Sequence, residues 1–219
     1  YNEAIVFYQK ARNEKGVADC YNNIGSSWLQ QGDINKALKY MEKSVKQRKS
    51  SGDHAGVAAS YNNIGLIYLN MGNYEMANNY LEESIDLKKQ LKDTIGVING
   101  LFNIAMLNDD IGNYSKALEN YNRFLEMAVE RNDSQSVADA KNNMGGIYMK
   151  MGDYETAVQY FQEVLEIRKK ENNPKGISTA YINLGTVQYK QENYENSKKY
   201  IEKGLEMALE INDRETEAR

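Results

Sequence analysis

The chain has 219 residues and a mass of 25.0 kDa, with 27 basic and 31 acidic side chains, 17 Tyr, and one each of Trp, Pro, Cys and His. An apolar share of 41% supports a core and argues against extended disorder, while a net charge of −4 gives no general attraction for phosphate backbones or anionic lipid, so nucleic acid is not an expected partner. One Cys and one His build neither an internal disulfide nor a structural zinc site, so no metal or other cofactor is expected, and no run of about 18 apolar residues is present to insert into a membrane.

A single proline and 16 glycines leave few breaks for a sheet protein and suit an all-α chain. From the N-terminus, residues 1–15 align with 41–55 and read as the second helix of a partial repeat. A shift of 40 then places Gly16, Gly56, Gly96, Ser136 and Gly176 in one column and opens repeats 16–55, 56–95, 96–135, 136–175 and 176–215. Residues 16–55 and 56–95 agree at 16 of 40 positions.

Each repeat reads as two helices. The first presents Tyr21, Ile24, Gly25 and Trp28, or Tyr61, Ile64, Gly65 and Tyr68, at the i, i+3, i+4, i+7 spacing of one helical face. Gly32-Asp33, Gly72-Asn73, Gly112-Asn113 and Gly152-Asp153 then pair a helix-ending glycine with an N-cap for the second helix, and Glu192-Asn193 keeps only the cap. The second helix continues through Ala37, Met41 and Val45, or Ala157, Phe161 and Leu165. It is expected to stop near Asp53, Asp93, Asp133, Asn173 and Asp213, which cap the next first helix. Residues 216–219 read as the start of a further repeat, and with neither end polar enough to cap an array, the chain reads as a fragment of a longer protein whose 1–219 form one array.

The positions Tyr21, Ile24, Gly25, Trp28, Gly32, Ala37, Met41 and Ser44 resemble the spaced signature of a tetratricopeptide repeat. The 40-residue period, with Asn-Ile-Gly or Asn-Leu-Gly on the first helix, is similar to the long-repeat subgroup of spindle-orientation adaptors, kinesin light chains and bacterial sensor proteins. This resemblance implies a right-handed superhelical solenoid of stacked helix-turn-helix repeats, in which the first helices line a concave groove. Repeat three departs most, with Leu101, Ala105 and Asn108 at signature positions.

On the face assigned to that groove, all five repeats carry Asn at one point: Asn23, Asn63, Asn103, Asn143 and Asn183. Carboxamides are mediocre in helices but offer two donors and an acceptor, which suits gripping the backbone of an extended peptide; tying one helix to the next is the competing use. Beside them lie Asn22, Asn62, Phe102, Asn142 and Ile182, then Ser26, Leu66, Met106, Gly146 and Thr186. Leu66, Phe102 and Met106 could receive one anchor side chain, or simply fill the core. Asp109 and Asp110 interrupt the apolar register of repeat three and could attract a ligand Lys or Arg, although a solvated face is the more ordinary explanation. Relatives that clamp a terminal carboxylate use Lys or Arg where this chain has Asp19, Ala59, Asn99, Asp139 and Thr179, so the expected ligand is a neutral to basic protein or extended peptide.

No His, nucleophile or glycine-rich loop accompanies the acidic pair, so no catalytic residues are expected. The reading is a non-catalytic, cytoplasmic protein-binding scaffold. The alternative is an input or dimerisation region of a larger sensor kinase, cyclase or transcription regulator, working either as a homodimer or by a change of superhelical pitch. Lys36, Lys39, Lys43, Lys46, Arg48 and Lys49 crowd one second helix; such a run is ordinarily solvated, or steers a partner. Cys20 reads as a small packing residue and His54 as surface.

Overall fold

The structure, a computed structural model, describes residues 1–217, and the side chains of these except Asn2 and 211–217. The elements are α1 (Asn2–Lys10), α2 (Glu14–Gln30), α3 (Ile34–Ser50), α4 (His54–Asn70), α5 (Tyr74–Gln90), α6 (Thr94–Asp110), α7 (Tyr114–Glu130), α8 (Ser134–Met151), α9 (Tyr154–Lys170), α10 (Pro174–Lys190) and α11 (Tyr194–Glu217). Among the described residues there is no strand, as expected of an all-α repeat chain.

The chain divides into two compact units, Tyr1–Asn113 and Tyr114–Arg219. In the first, α2 pairs with α3 and α4 with α5, while α3 packs on α4 and α5 on α6. Its core runs from Ile5, Val17 and Ile24 through Met41, Val57 and Ile64 to Leu81, Ile85 and Leu107. In the second, α8 pairs with α9 and α10 with α11, with α7 on α8 and α9 on α10. Phe161, Val164, Leu184 and Val187 form its centre.

The turns follow the sequence signals closely. Gly32, Gly72, Gly112 and Gly152 take the left-handed conformation (φ +71 to +84) that ends a first helix, and Glu192 adopts it without being glycine. The return turns use Gly52 but also Arg12, Lys92, Asn132 and Asn172 at φ +50 to +57, each costing about 1 kcal/mol that the packed hairpins must offset. Asn13, Asp53, Asp93, Asp133 and Asn173 each accept a hydrogen bond from the backbone N–H three residues on, at 2.9 to 3.1 Å. The fifth second helix does not stop at Asp213: α11 continues to Glu217. Positions 211–213 thus lie within the helix, where the other second helices end in a left-handed turn.

The column Gly16, Gly56, Gly96, Ser136, Gly176 has a steric cause. A Cβ at Gly16 would meet the Tyr8 ring at 2.7 Å, at Gly56 the Arg48 Nη1 at 1.8 Å, at Gly96 the Lys88 Cδ at 2.9 Å and at Gly176 the Arg168 Cδ at 2.6 Å. Each glycine lets the long side chain eight residues earlier lie across the helix start. Eight residues ahead of Ser136 the preceding repeat has Ala128, so the room is already there.

A buried hydroxyl links the two helices of three hairpins. Ser44 Oγ donates to the Ala18 carbonyl (2.8 Å) and Ser84 Oγ to the Ala58 carbonyl (2.7 Å). In the last hairpin the roles reverse, Ser178 Oγ of the first helix donating to the Gly204 carbonyl of the second (2.7 Å). The bond satisfies a hydroxyl that burial would otherwise penalise, and either helix can supply it.

Candidate functional site

The first helices place the Asn column on a face that is not sealed in the core: Asn23 is exposed, and Asn63, Asn103, Asn143 and Asn183 are half-buried, as are Asn22, Asn62 and Asn142. In the first unit Asn103 Nδ2 donates to Asn62 Oδ1 across the seam between α6 and α4 (2.8 Å). In the second, Asn183 Nδ2 donates to Asn142 Oδ1 between α10 and α8 at the same distance. Asn143 instead donates to the Asp139 carbonyl one turn back on its own helix (3.0 Å). Two rungs of the column therefore serve helix-to-helix contact, the competing use identified in the sequence. Each bonded pair still retains the carbonyl oxygen and one N–H of the donor amide, and one carbonyl lone pair and the whole NH₂ of the acceptor amide.

The apolar candidates separate. Leu66 is half-buried and packs against the cluster of Leu69, Leu81, Ile104 and Leu107, Phe102 is half-buried and already engaged, and Met106 is exposed. Leu66 is thus chiefly core filling. Asp109 is half-buried and has a partner, while Asp110 is exposed in the last turn of α6, where a carboxylate opposes the helix dipole. Cys20 is buried at 5% exposure and His54 is at the surface, both as read from the sequence.

The acidic column has partners that sequence spacing did not reveal. Arg48 of α3 reaches Asp19 of α2 with Nη2 (2.6 Å) and Asp53, the N-cap of α4, with Nη1 (2.8 Å). Arg168 of α9 reaches Asp139 of α8 and also Glu171, the C-cap residue of its own helix. The Arg48 fork thus ties its hairpin to the start of the next, a geometry suited to arginine, while the Arg168 fork joins the two helices of its own hairpin. A second pairing couples the helices of a hairpin: Lys43 lies over the Tyr21 ring, Lys141 pairs with Glu163, and Lys203 lies over Tyr181. The paired residues lie 22 positions apart, and repeats one, four and five fill them with complementary partners in either order.

The titration shifts are those of caps and pairs. Backbone and hydroxyl hydrogen bonds from Ser136 hold the Asp133 carboxyl below its ordinary value. The Ser134 hydroxyl, with Arg168, lowers Glu171. Burial pushes the Lys88 ammonium down, against the pull of Asp93. Among the described residues no group of His, Cys, Asp or Glu could hold a metal ion, and no helix is long and apolar enough to cross a membrane.

Residues 16–90 and 136–210 match the model of the tetratricopeptide repeat, which covers more than half of the chain. The chain belongs to the tetratricopeptide repeat family. Residues 61–144 also match the model of anaphase-promoting complex subunit 5, a shorter stretch of this repeat chain. No curated protein matches. Among solved structures, BtubC (BKLC) from P. vanneervenii superposes with a TM-score of 0.82 at 18% identity, over 96% of this chain and 89% of that one. RapI in its apo form gives 0.79 at 22%, over 92% and 73%. A Rap protein complexed with Competence and Sporulation Factor gives 0.72 at 20%, over 92% and 56%. Likenesses at these identities speak for the shared repeat fold.

Proposed function

We propose that this member of the tetratricopeptide repeat family is a non-catalytic scaffold that holds a neutral to basic extended peptide on the face of its first helices, using the carboxamides of the Asn column. The observation that carries the reading is the pair of bonded amides, Asn62 with Asn103 and Asn142 with Asn183. Each pair is fixed in orientation by its own hydrogen bond while donors and an acceptor stay available, so little side-chain entropy remains to be lost when a peptide backbone arrives. The Rap structure in complex with a factor supports a binding role on this fold. Exposed Asp110 favours a ligand that is not acidic on this face.

The test begins with a displayed library of random peptides of about ten residues, selected on the intact chain and labelled for anisotropy. Asn63→Ala/Asn103→Ala and Asn143→Ala/Asn183→Ala should each leave helical content intact. At least one should weaken the selected peptides tenfold or more, about 1.4 kcal/mol. Affinity unchanged in both doubles removes the carboxamides from the account.

A further inference from the structure

The outer face of α3 carries a charge pattern that the reading above does not use. Its seventeen residues include Lys36, Lys39, Lys43, Lys46, Arg48 and Lys49 against a single acid, Glu42. Arg48 turns inward to Asp19 and Asp53. With 3.6 residues per turn, Lys36, Lys39, Lys43 and Lys46 fall within an arc of about 80°, opposite the core positions Ala37, Met41 and Ser44, and span about 15 Å of helix. All four are exposed.

Packing does not require lysine there, because the second helices of other repeats serve as internal controls. The same four positions read Met76, Asn79, Glu83, Asp86 in α5 and Thr156, Gln159, Glu163, Glu166 in α9. Helix physics does not require it either, since a cation in the first turn opposes the dipole; Lys36 is tolerated through its ion pair with the N-cap Asp33 (2.8 Å). Two of the four ammonium groups are held in place: Lys36 lies over the Trp28 ring at 4.1 Å, and Lys43 over Tyr40 at 4.8 Å and Tyr21 at 5.6 Å. Among the described residues Lys39, Lys43 and Lys46 enter no ion pair.

We infer that this arc is a second interaction surface, which docks an acidic protein segment presenting three or four carboxylates along about 15 Å. A polyanion as broad as a nucleic-acid duplex or a lipid surface is disfavoured by the neighbour, since α5 carries Glu82, Glu83 and Asp86 on the same side of the first unit. A narrow segment lying along α3 meets the four lysines with Glu42 as the one acid of that helix beside them. The surface is separate from the first-helix face, so the two readings stand or fall independently.

The experiment measures anisotropy of a labelled decaglutamate peptide with the intact chain in low and physiological salt. A Lys39→Gln/Lys43→Gln/Lys46→Gln variant should bind at least tenfold more weakly with its helical content intact, its thermal midpoint falling only by what the lost contact of Lys43 with Tyr21 and Tyr40 costs, and binding by the unaltered chain should fall severalfold as salt rises. A control variant, Lys89→Gln/Lys169→Gln/Lys170→Gln, removes as many charges elsewhere and should retain the affinity. The single changes Lys39→Gln and Lys46→Gln, each losing about threefold, keep the test intact if the triple variant folds poorly. Equal loss in the control, no loss in the lysine variant, or binding of duplex DNA or phosphatidylserine vesicles as tight as that of the peptide would each overturn the inference.

Discussion

Arg48 and Gly56 are predicted to be energetically coupled, and a double-mutant cycle measures it. A Cβ on Gly56 would sit 1.8 Å from Arg48 Nη1 and 2.1 Å from Asp53 Oδ2, so Gly56→Ser must drive the guanidinium off a carboxylate whose side chain is only 19% exposed. Losing that partly buried pair costs about 2–3 kcal/mol, offset by a few tenths from the better helix propensity of Ser. Arg48→Ala leaves Asp19 and Asp53 without their guanidinium and removes packed methylenes, for another 2–3 kcal/mol or so. The double variant recreates the combination that repeat four already uses, Ala128 with Ser136, where the hydroxyl donates to the cap Asp133 at 2.8 Å. Its cost should therefore fall short of the sum of the singles by about 1–2 kcal/mol. Urea unfolding followed by far-ultraviolet circular dichroism gives the four stabilities. Additivity to within about 0.3 kcal/mol would refute the steric explanation of the glycine column.

Adjacent glycines in α8 should respond with opposite sign. Gly146→Ala meets nothing within 4 Å and should stabilise by about 0.5–1 kcal/mol, whereas Gly145→Ala places a Cβ 2.9 Å from the buried Phe161 ring and should destabilise by about 1–2 kcal/mol net, both read as thermal midpoints. Lys88→Met should be neutral to stabilising at pH 7, because burial lowers the native Lys88 pKa below its unfolded value and the charged form therefore costs stability. The unaltered chain should gain stability as pH climbs from that lowered value towards about 10, and the variant should lose this gain in urea titrations. For Asp133, whose native pKa is depressed, the contribution is present above the ordinary carboxylate range and is lost as pH falls through the lowered value, below about pH 4. Asp133→Asn keeps an N-cap acceptor, so it should change the midpoint little at pH 7 and flatten the acid limb of the thermal stability curve.

Helix ends, caps and the hairpin pattern were legible because they depend on residues one to four apart: Asp53 with the Gly56 amide, Gly72 with Asn73, Tyr61 with Ile64 and Gly65. The candidate binding face was legible only as a set of positions. That Asn103 and Asn183 spend a donor on the amide 41 residues earlier, or that Asp19 and Asp139 are neutralised by arginines 29 residues later, depends on side-chain direction across packed helices, which spacing along one helix does not encode. A signal for the arginines was nonetheless present, since Asp19 with Arg48 and Asp139 with Arg168 recur together while Ala59, Asn99 and Thr179 lack an arginine at the matching place.

The sequence by itself determined the class of structure, because a 40-residue period of apolar stripes, left-handed turn residues and N-caps leaves stacked helical hairpins as the way to bury those stripes. Only the tertiary structure decided what each polar column does. Whether a carboxamide, a carboxylate or a lysine meets a neighbouring helix or faces outward is set by how the hairpins lean together, and that contact geometry alone turns side chains into cross-links, as with Asn62 and Asn103, or leaves them exposed, as with Lys39 and Lys46.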